Sequence, residues 1–142
     1  MTRWAIVDTG PLVAALDRRE LYHAWAVEQI HRFNPPLLVC EPVLVEALFL
    51  LSRLPDAQDG LLEWLENGAL RVGFRLEEHV QTVRALCRKY RDVPMSLADG
   101  CLVRMAEIYG HYGVCTLDSD FTIYRKHGRE AIPLIAPPGV GF

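Results

Sequence analysis

The stretch Trp4-Ala5-Ile6-Val7-Asp8-Thr9-Gly10-Pro11-Leu12-Val13-Ala14 decides how this chain folds. Residues 3–7 read as a buried strand. The apolar run stops at Asp8, and Asp8-Thr9-Gly10-Pro11 reads as a turn, with Pro11 suited to the first position of a helix over 11–17. A strand, an acid at its carboxyl end and a helix directly after it make the opening of a strand–helix–strand unit.

The same alternation continues outward. A helix is expected over 21–33, a buried strand over 36–40, and a helical pair over 42–53 and 56–66 broken at Leu54-Pro55. A weak strand follows at 70–74 and an amphipathic helix at 77–90. Another helix spans 96–109, closed by Gly110, then a strand 113–117, a short helix 121–127 and a last strand 132–135. Strands alternating with helices predict a three-layer α/β/α fold with a central parallel sheet and right-handed crossovers. The whole chain, 1–142, reads as one domain with its core over about 3–135 and an irregular tail at 136–142.

In such sheets, ligands sit beyond the carboxyl ends of the strands, where the strand order reverses. Asp8 and Asp118 each fall at such an end. On neighbouring strands they would start roughly 5 Å apart, close enough to share a metal ion or two adjacent ones. Each also has a plainer reading, since Asp commonly ends a strand and caps the next helix. Thr9 would cap the first helix equally well, and either Asp118 or Asp120 would cap the helix after Ser119.

Glu46 carries more information. Its helical neighbours three and four positions away are Pro42, Val43, Phe49 and Leu50, all apolar, and no Lys or Arg of its own helix can pair with it. A carboxylate on an apolar face bears a desolvation cost unless compensated. That predicts a buried metal ligand or base, the alternative being a salt bridge to another element. Asp99 belongs to Ser96-Leu97-Ala98-Asp99, which reads as a capping arrangement or as the placement of a fourth acid. Converging, the four acids would form a pocket that only a multivalent cation neutralises, which points to metal-dependent phosphate chemistry.

Composition fits. The chain is 51% hydrophobic and 23% charged, and its apolar runs are too short to span a bilayer, so no membrane partner is expected. The N-terminus lacks the apolar core of a secretory signal, which predicts a soluble cytoplasmic protein. Cys40, Cys87, Cys101 and Cys115 are widely spaced and read as buried free thiols. The five histidines have no metal-ligand spacing and read as surface or interface residues. The net charge of −3 becomes +1 once the four acids are set aside, a balance compatible with a nucleic-acid partner. Arg84, Arg88, Lys89 and Arg91 suit a helix carboxyl end without any ligand. Arg104, Arg125, Lys126 and Arg129 lie nearer the expected acidic edge and are the candidates for holding RNA. Trp25, Trp64 and Tyr90 read as core or dimer surface rather than base-stacking platforms.

Four segments in this order, Val7-Asp8-Thr9-Gly10-Pro11-Leu12-Val13-Ala14, Glu41-Pro42-Val43-Leu44-Val45-Glu46-Ala47, Ser96-Leu97-Ala98-Asp99 and Thr116-Leu117-Asp118-Ser119-Asp120-Phe121, resemble the PIN-domain family. The likeness is especially close to the ribonuclease toxins of the VapC kind. It implies Mg²⁺- or Mn²⁺-dependent hydrolysis of RNA, a homodimer, and a small antitoxin partner. The family's acidic set maps onto Asp8, Glu46, Asp99 and Asp118, with Thr116 as the usual hydroxyl residue before the last acid. Asp120 is able to supply or share the fourth position. A phosphotransferase using Asp8 as nucleophile would want a second Asp two residues on, where this chain has Gly10. A receiver-like domain lacks its acidic pair here. The remaining rival is a non-catalytic PIN-like module that binds RNA or protein.

Overall fold

A computed structural model describes residues 3–139. Met1 and Thr2 of the N-terminal reading, and 140–142 of the expected tail, lie outside the described residues.

Strand β1 (Ala5–Val7) is buried along its whole length, as is β2 (Leu37–Val39), because both of their faces are covered. Between them lie α1 (Thr9–Leu16) and α2 (His23–Arg32); α3 (Glu41–Leu50) and α4 (Pro55–Glu66) carry the chain on to β3 (Leu70–Val72). Helices α5 (Leu76–Lys89) and α6 (Leu97–Ile108) return it to β4 (Gly113–Cys115), and β7 (Leu134–Ile135) closes the sheet. The order is β3-β2-β1-β4-β7, every pairing parallel, so the six helices flank a five-stranded sheet in three layers. The chain moves outward from β1 in one direction and then resumes at β4 on the other side. The order therefore reverses between β1 and β4, whose register sets Val7 opposite Cys115.

Local chemistry explains the helix starts. Pro55 opens α4 and Pro42 sits in the first turn of α3, positions where a missing N–H is harmless. Ser96 caps α6 by accepting from the Asp99 N–H at 3.0 Å. In α5, Glu77 and Glu78 stand at the start and Arg88 and Lys89 at the end, the distribution the helix dipole favours.

Three expectations need correction. Helix α1 begins at Thr9, with Asp8 rather than Thr9 or Pro11 at its boundary. The last strand, expected over 132–135, is only Leu134–Ile135. The short helix expected over 121–127 is instead one 3₁₀ turn (Ser119–Thr122) followed by a hairpin of β5 (Arg125–Lys126) and β6 (Glu130–Ala131). His127 and Gly128 turn that hairpin with φ of 52° and 84°, left-handed values that glycine adopts freely and that match the twist of paired strands. The cysteines are free thiols, as read: Cys40, Cys101 and Cys115 are buried and Cys87 half-buried. Trp25, Trp64 and Tyr90 all pack in or against one contiguous core.

Candidate active site

Because β1 and β4 are neighbours, Asp8 leaves the sheet at the crevice where the strand order reverses. Its N–H donates to the Cys115 carbonyl at 2.9 Å, extending the ladder one residue past β1. Its carboxylate then caps α1, Oδ1 accepting from the Thr9 N–H at 2.7 Å. Oδ2 accepts from the Thr116 hydroxyl, also at 2.7 Å. With 7% of its surface exposed, Asp8 is a buried acid whose two bonded partners are neutral. Burial pushes its pKa up to about 7, against the pull of the Thr116 and Thr9 bonds, and the charges of Asp99 and Asp118 push the same way as burial.

Asp99 stands in the first turn of α6 and its backbone satisfies the Ser96 cap, but its side chain is occupied elsewhere. Its Oδ2 accepts from the Tyr124 hydroxyl at 2.8 Å. Burial, and then the Asp118 charge, hold its pKa above the usual carboxylate value against that bond. Asp118 caps the 3₁₀ turn, Oδ1 accepting from the Asp120 N–H at 2.9 Å, and its own N–H donates to Thr116 Oγ1 at 2.9 Å. Burial and the neighbouring Asp118 charge push Asp120 upward too.

Asp8, Glu46, Asp99, Asp118 and Asp120 line one cavity of about 410 Å³, together with Thr9, Gly10, Pro94, Ser96 and Leu117, and among the described residues no basic side chain lines it. Gly10 permits the close packing there, since a Cβ on it would stand 3.2 Å from the Leu117 side chain.

Glu46 reaches this cavity from α3, but not as a buried group. It is exposed, as are its apolar neighbours Val45, Phe49 and Leu50, so the desolvation expected from its sequence context does not arise. It stands on the rim between the acidic cavity and an apolar surface formed by Pro42, Val45, Phe49, Leu97 and Ala98.

The basic candidates are elsewhere. Arg104 is engaged by Glu107 at 3.1 Å and His79 at 3.2 Å. Arg125 donates to the carbonyls of Thr122 and Tyr124. Lys126 is buried, with Gly110 O at the far end of α6 as its acceptor at 3.4 Å. Arg104 thus bonds within α6 and across to α5, Arg125 bonds its own turn and Lys126 reaches the loop after α6, and none of the three is among the residues lining the acidic cavity. Conversely, Tyr124 escaped sequence reasoning. It follows Phe121 by three residues and looks like ordinary core, and only the fold shows its hydroxyl on Asp99.

The donor set fits a hard divalent cation: oxygens only, with Asp8, Asp99 and Asp120 held above the usual carboxylate pKa by burial and by their acidic neighbours. Among the described residues no three acidic, histidine or cysteine groups stand close enough to enclose an ion unaided. Mg²⁺ does not require that, because it keeps several waters and completes its shell with substrate phosphate.

A family model described as PIN domain matches residues 5–126. The chain is 28% identical over 131 residues to "Ribonuclease VapC26" of Mycobacterium tuberculosis (strain ATCC 25618 / H37Rv), covering 91% of this chain and 93% of that protein.

Proposed function

This chain belongs to the PIN domain family, and on that premise we propose that it is a Mg²⁺- or Mn²⁺-dependent endoribonuclease, the toxin of a type II toxin–antitoxin pair. The observation that carries the reading is five carboxylates on one cavity with, among the described residues, no basic side chain, and one of the acids pushed up to about 7. That much negative charge calls for a multivalent cation, and a cation at a sheet's switch point is suited to a phosphodiester substrate. The ribonuclease name of the mycobacterial relative supports RNA as the polymer.

In this reading Asp8 and Asp118 hold the ion directly, and Asp99 does so directly or through water. When bound, the ion supplies a lowered pKa for a coordinated water and neutralises charge on the phosphate oxygens. Thr116 fixes the rotamer of Asp8, and Tyr124 fixes that of Asp99. Glu46, free at the rim, orients the attacking water or holds a second ion. The exposed Val45, Phe49, Leu50 and Leu97 beside the cavity support a partner-covered face, in keeping with a homodimer and a small antitoxin. Among the described residues no helix is long and apolar enough to cross a membrane, and we assign the protein to the cytoplasm.

The test is incubation of wild type and Asp99→Asn with a mixed RNA pool and Mn²⁺. Cleavage by wild type alone, abolished by EDTA, is expected. Cleavage that survives the substitution or the chelator would overturn the mechanism.

A further inference from the structure

Five carboxylates on one cavity repel a polyanion, and the chain as a whole carries a net charge of −3. Two basic stretches, distant in sequence, offset this. Residues 88–92 carry Arg88, Lys89 and Arg91, and residues 125–130 carry Arg125, Lys126 and Arg129, against the acids Asp92 and Glu130. The fold brings the two stretches together. Lys89 Nζ donates to the Gly128 carbonyl at 3.2 Å, and the Arg125 N–H donates to the Tyr90 hydroxyl at 3.0 Å. Arg88 and Arg91 flank the Lys89–Tyr90 pair and Arg129 follows Gly128, so one region of surface gathers Arg88, Lys89, Arg91 and Arg129. All four are exposed, and among the described residues none is paired with an acid. The dipole of α5 explains Arg88 and Lys89. It does not explain Arg91, which lies past the helix end, or Arg129, which stands on the hairpin. Like charges gathered this way repel, and an anion laid across them relieves that repulsion.

The region adjoins the acidic cavity by two routes. The loop after Tyr90 turns back at once, the Val93 and Met95 N–H groups both donating to the Tyr90 carbonyl at 3.1 Å, and reaches the cavity wall at Pro94 and Ser96. Tyr124, whose hydroxyl bonds Asp99, packs edge-on against Tyr90 and directly precedes Arg125. We propose that Arg88, Lys89, Arg91 and Arg129 hold the phosphate backbone of the RNA beyond the nucleotides that occupy the cavity. The proposal rests on the ribonuclease reading and adds to it the surface that captures substrate. Three of the four are arginines, whose planar fork grips phosphate bidentately. An acidic protein meets the same cations, but a nucleic acid lying in the cavity brings further phosphates to them at no added cost of encounter.

A charge-neutralised variant tests this. Arg88→Gln, Arg91→Gln and Arg129→Gln, combined in one chain, remove three exposed charges. Affinity for labelled oligouridylate at low salt, read by fluorescence anisotropy in EDTA, should fall about tenfold or more. The slope of log affinity against log salt should shrink by about 2, since each phosphate contact on a single strand contributes about 0.7. In Mn²⁺ the variant should raise KM on RNA while kcat stays within about twofold of wild type, with an unchanged melting temperature. A control variant loses the same charge at exposed positions on other elements, by Arg18→Gln, Arg53→Gln and Arg71→Gln. It should keep the affinity, the slope and the KM of wild type. If the triple variant folds poorly, Arg91→Gln and Arg129→Gln are measured singly, each lowering the slope by about 0.7. A wild-type protein that cleaves RNA while the two triple variants bind it alike overturns this surface alone. Poly-glutamate that displaces the labelled RNA as readily as unlabelled oligouridylate of equal length assigns the surface to an acidic protein and overturns it too. A wild-type protein that leaves RNA intact in Mg²⁺ and Mn²⁺ overturns the ribonuclease reading and this inference with it.

Discussion

The Thr116 hydroxyl donates to Asp8 Oδ2 at 2.7 Å and accepts from the Asp118 N–H at 2.9 Å, so one buried side chain links the carboxyl ends of β1 and β4. It holds the rotamer of Asp8 and the start of the loop that carries Asp118. Thr116→Val preserves shape but leaves a buried carboxylate oxygen without its donor, at a cost of about 1–3 kcal/mol. It also removes a bond that lowers the Asp8 pKa, so Mn²⁺ affinity near neutral pH should fall. Thr116→Ser should retain both properties. Thermal melting and calorimetric titration with Mn²⁺ check this, and Val and Ser variants that behave alike would refute it.

Asp8 gives the metal-free protein a pH dependence of definite sign. Its pKa is raised from 3.8 to about 7, so between those values the folded state binds more protons than the unfolded chain. Stability from this group is then greatest in acid and falls as pH rises through that window, by on the order of 4 kcal/mol if the full shift is realised. Burial moves Asp99 in the same direction. In EDTA the melting temperature should therefore decline from pH 5 to pH 8 more steeply in wild type than in Asp8→Asn. Saturating Mn²⁺ should restore stability, most strongly at pH 8, because a ligand that binds only the folded state adds RT ln(1 + [L]/Kd). Equal slopes in the two proteins would remove Asp8 as the source.

Tyr124 supplies a separate test of how Asp99 is held. Its ring packs edge-on against Phe121 and Tyr90, each with centroids 5.1 Å away, so Tyr124→Phe keeps the packing and deletes the hydroxyl. A hydrogen bond to a charged group contributes about 1.5–3 kcal/mol. Losing it should weaken Mn²⁺ binding and kcat/KM about tenfold, with a small change in melting temperature. An unchanged Mn²⁺ affinity would mean that Asp99 is positioned by its helix alone.

These residues also show what the sequence could and could not say. The β1–Asp8–α1 unit and the strand alternation were legible because apolar runs and Pro positions are local signals. The convergence of acids was legible once the parallel topology fixed which strand ends share an edge. Glu46 was placed on the right cavity for a wrong reason. Apolar neighbours at helical spacing suggested burial, whereas Val45, Phe49 and Leu50 are themselves exposed. Periodicity reports that a face is apolar, and nothing in it says whether this chain covers the face. The β5–β6 hairpin was missed because strands of two residues are too short to show alternation. Its signal was the His127-Gly128 pair. Tyr124 depends on a contact to Asp99 that exists only in three dimensions.

Glu46, exposed at the rim, offers a variant with little structural consequence. Glu46→Gln should change stability by less than about 0.5 kcal/mol, as for most surface positions. Its effect should appear in turnover of RNA, with kcat reduced and the melting temperature unchanged. A drop in melting temperature that matches the lost activity would assign Glu46 to structure instead.

Asp118 and Asp120 compete for the fourth acidic position, and their bonding separates them. Asp118 Oδ1 accepts from the Asp120 N–H, a bond that the amide oxygen of Asn can keep. Asp118→Asn therefore removes charge while leaving the 3₁₀ turn capped. Asp118 also pushes up the pKa of Asp8, Asp99 and Asp120, so its charge is felt by three other acids of the cavity. Asp120 donates its backbone N–H to Asp118 and, like Asp118, is half-buried. Asp118→Asn should lower kcat/KM by a hundredfold or more and abolish the Mn²⁺-induced rise in melting temperature, a loss of about 2.7 kcal/mol or more of transition-state stabilisation. Asp120→Asn should cost about tenfold or less and keep the Mn²⁺ response. Calorimetric Mn²⁺ titration of both variants beside wild type, together with single-turnover cleavage, decides between them. The reverse ranking would move the ion toward Asp120 and leave Asp118 as a cap.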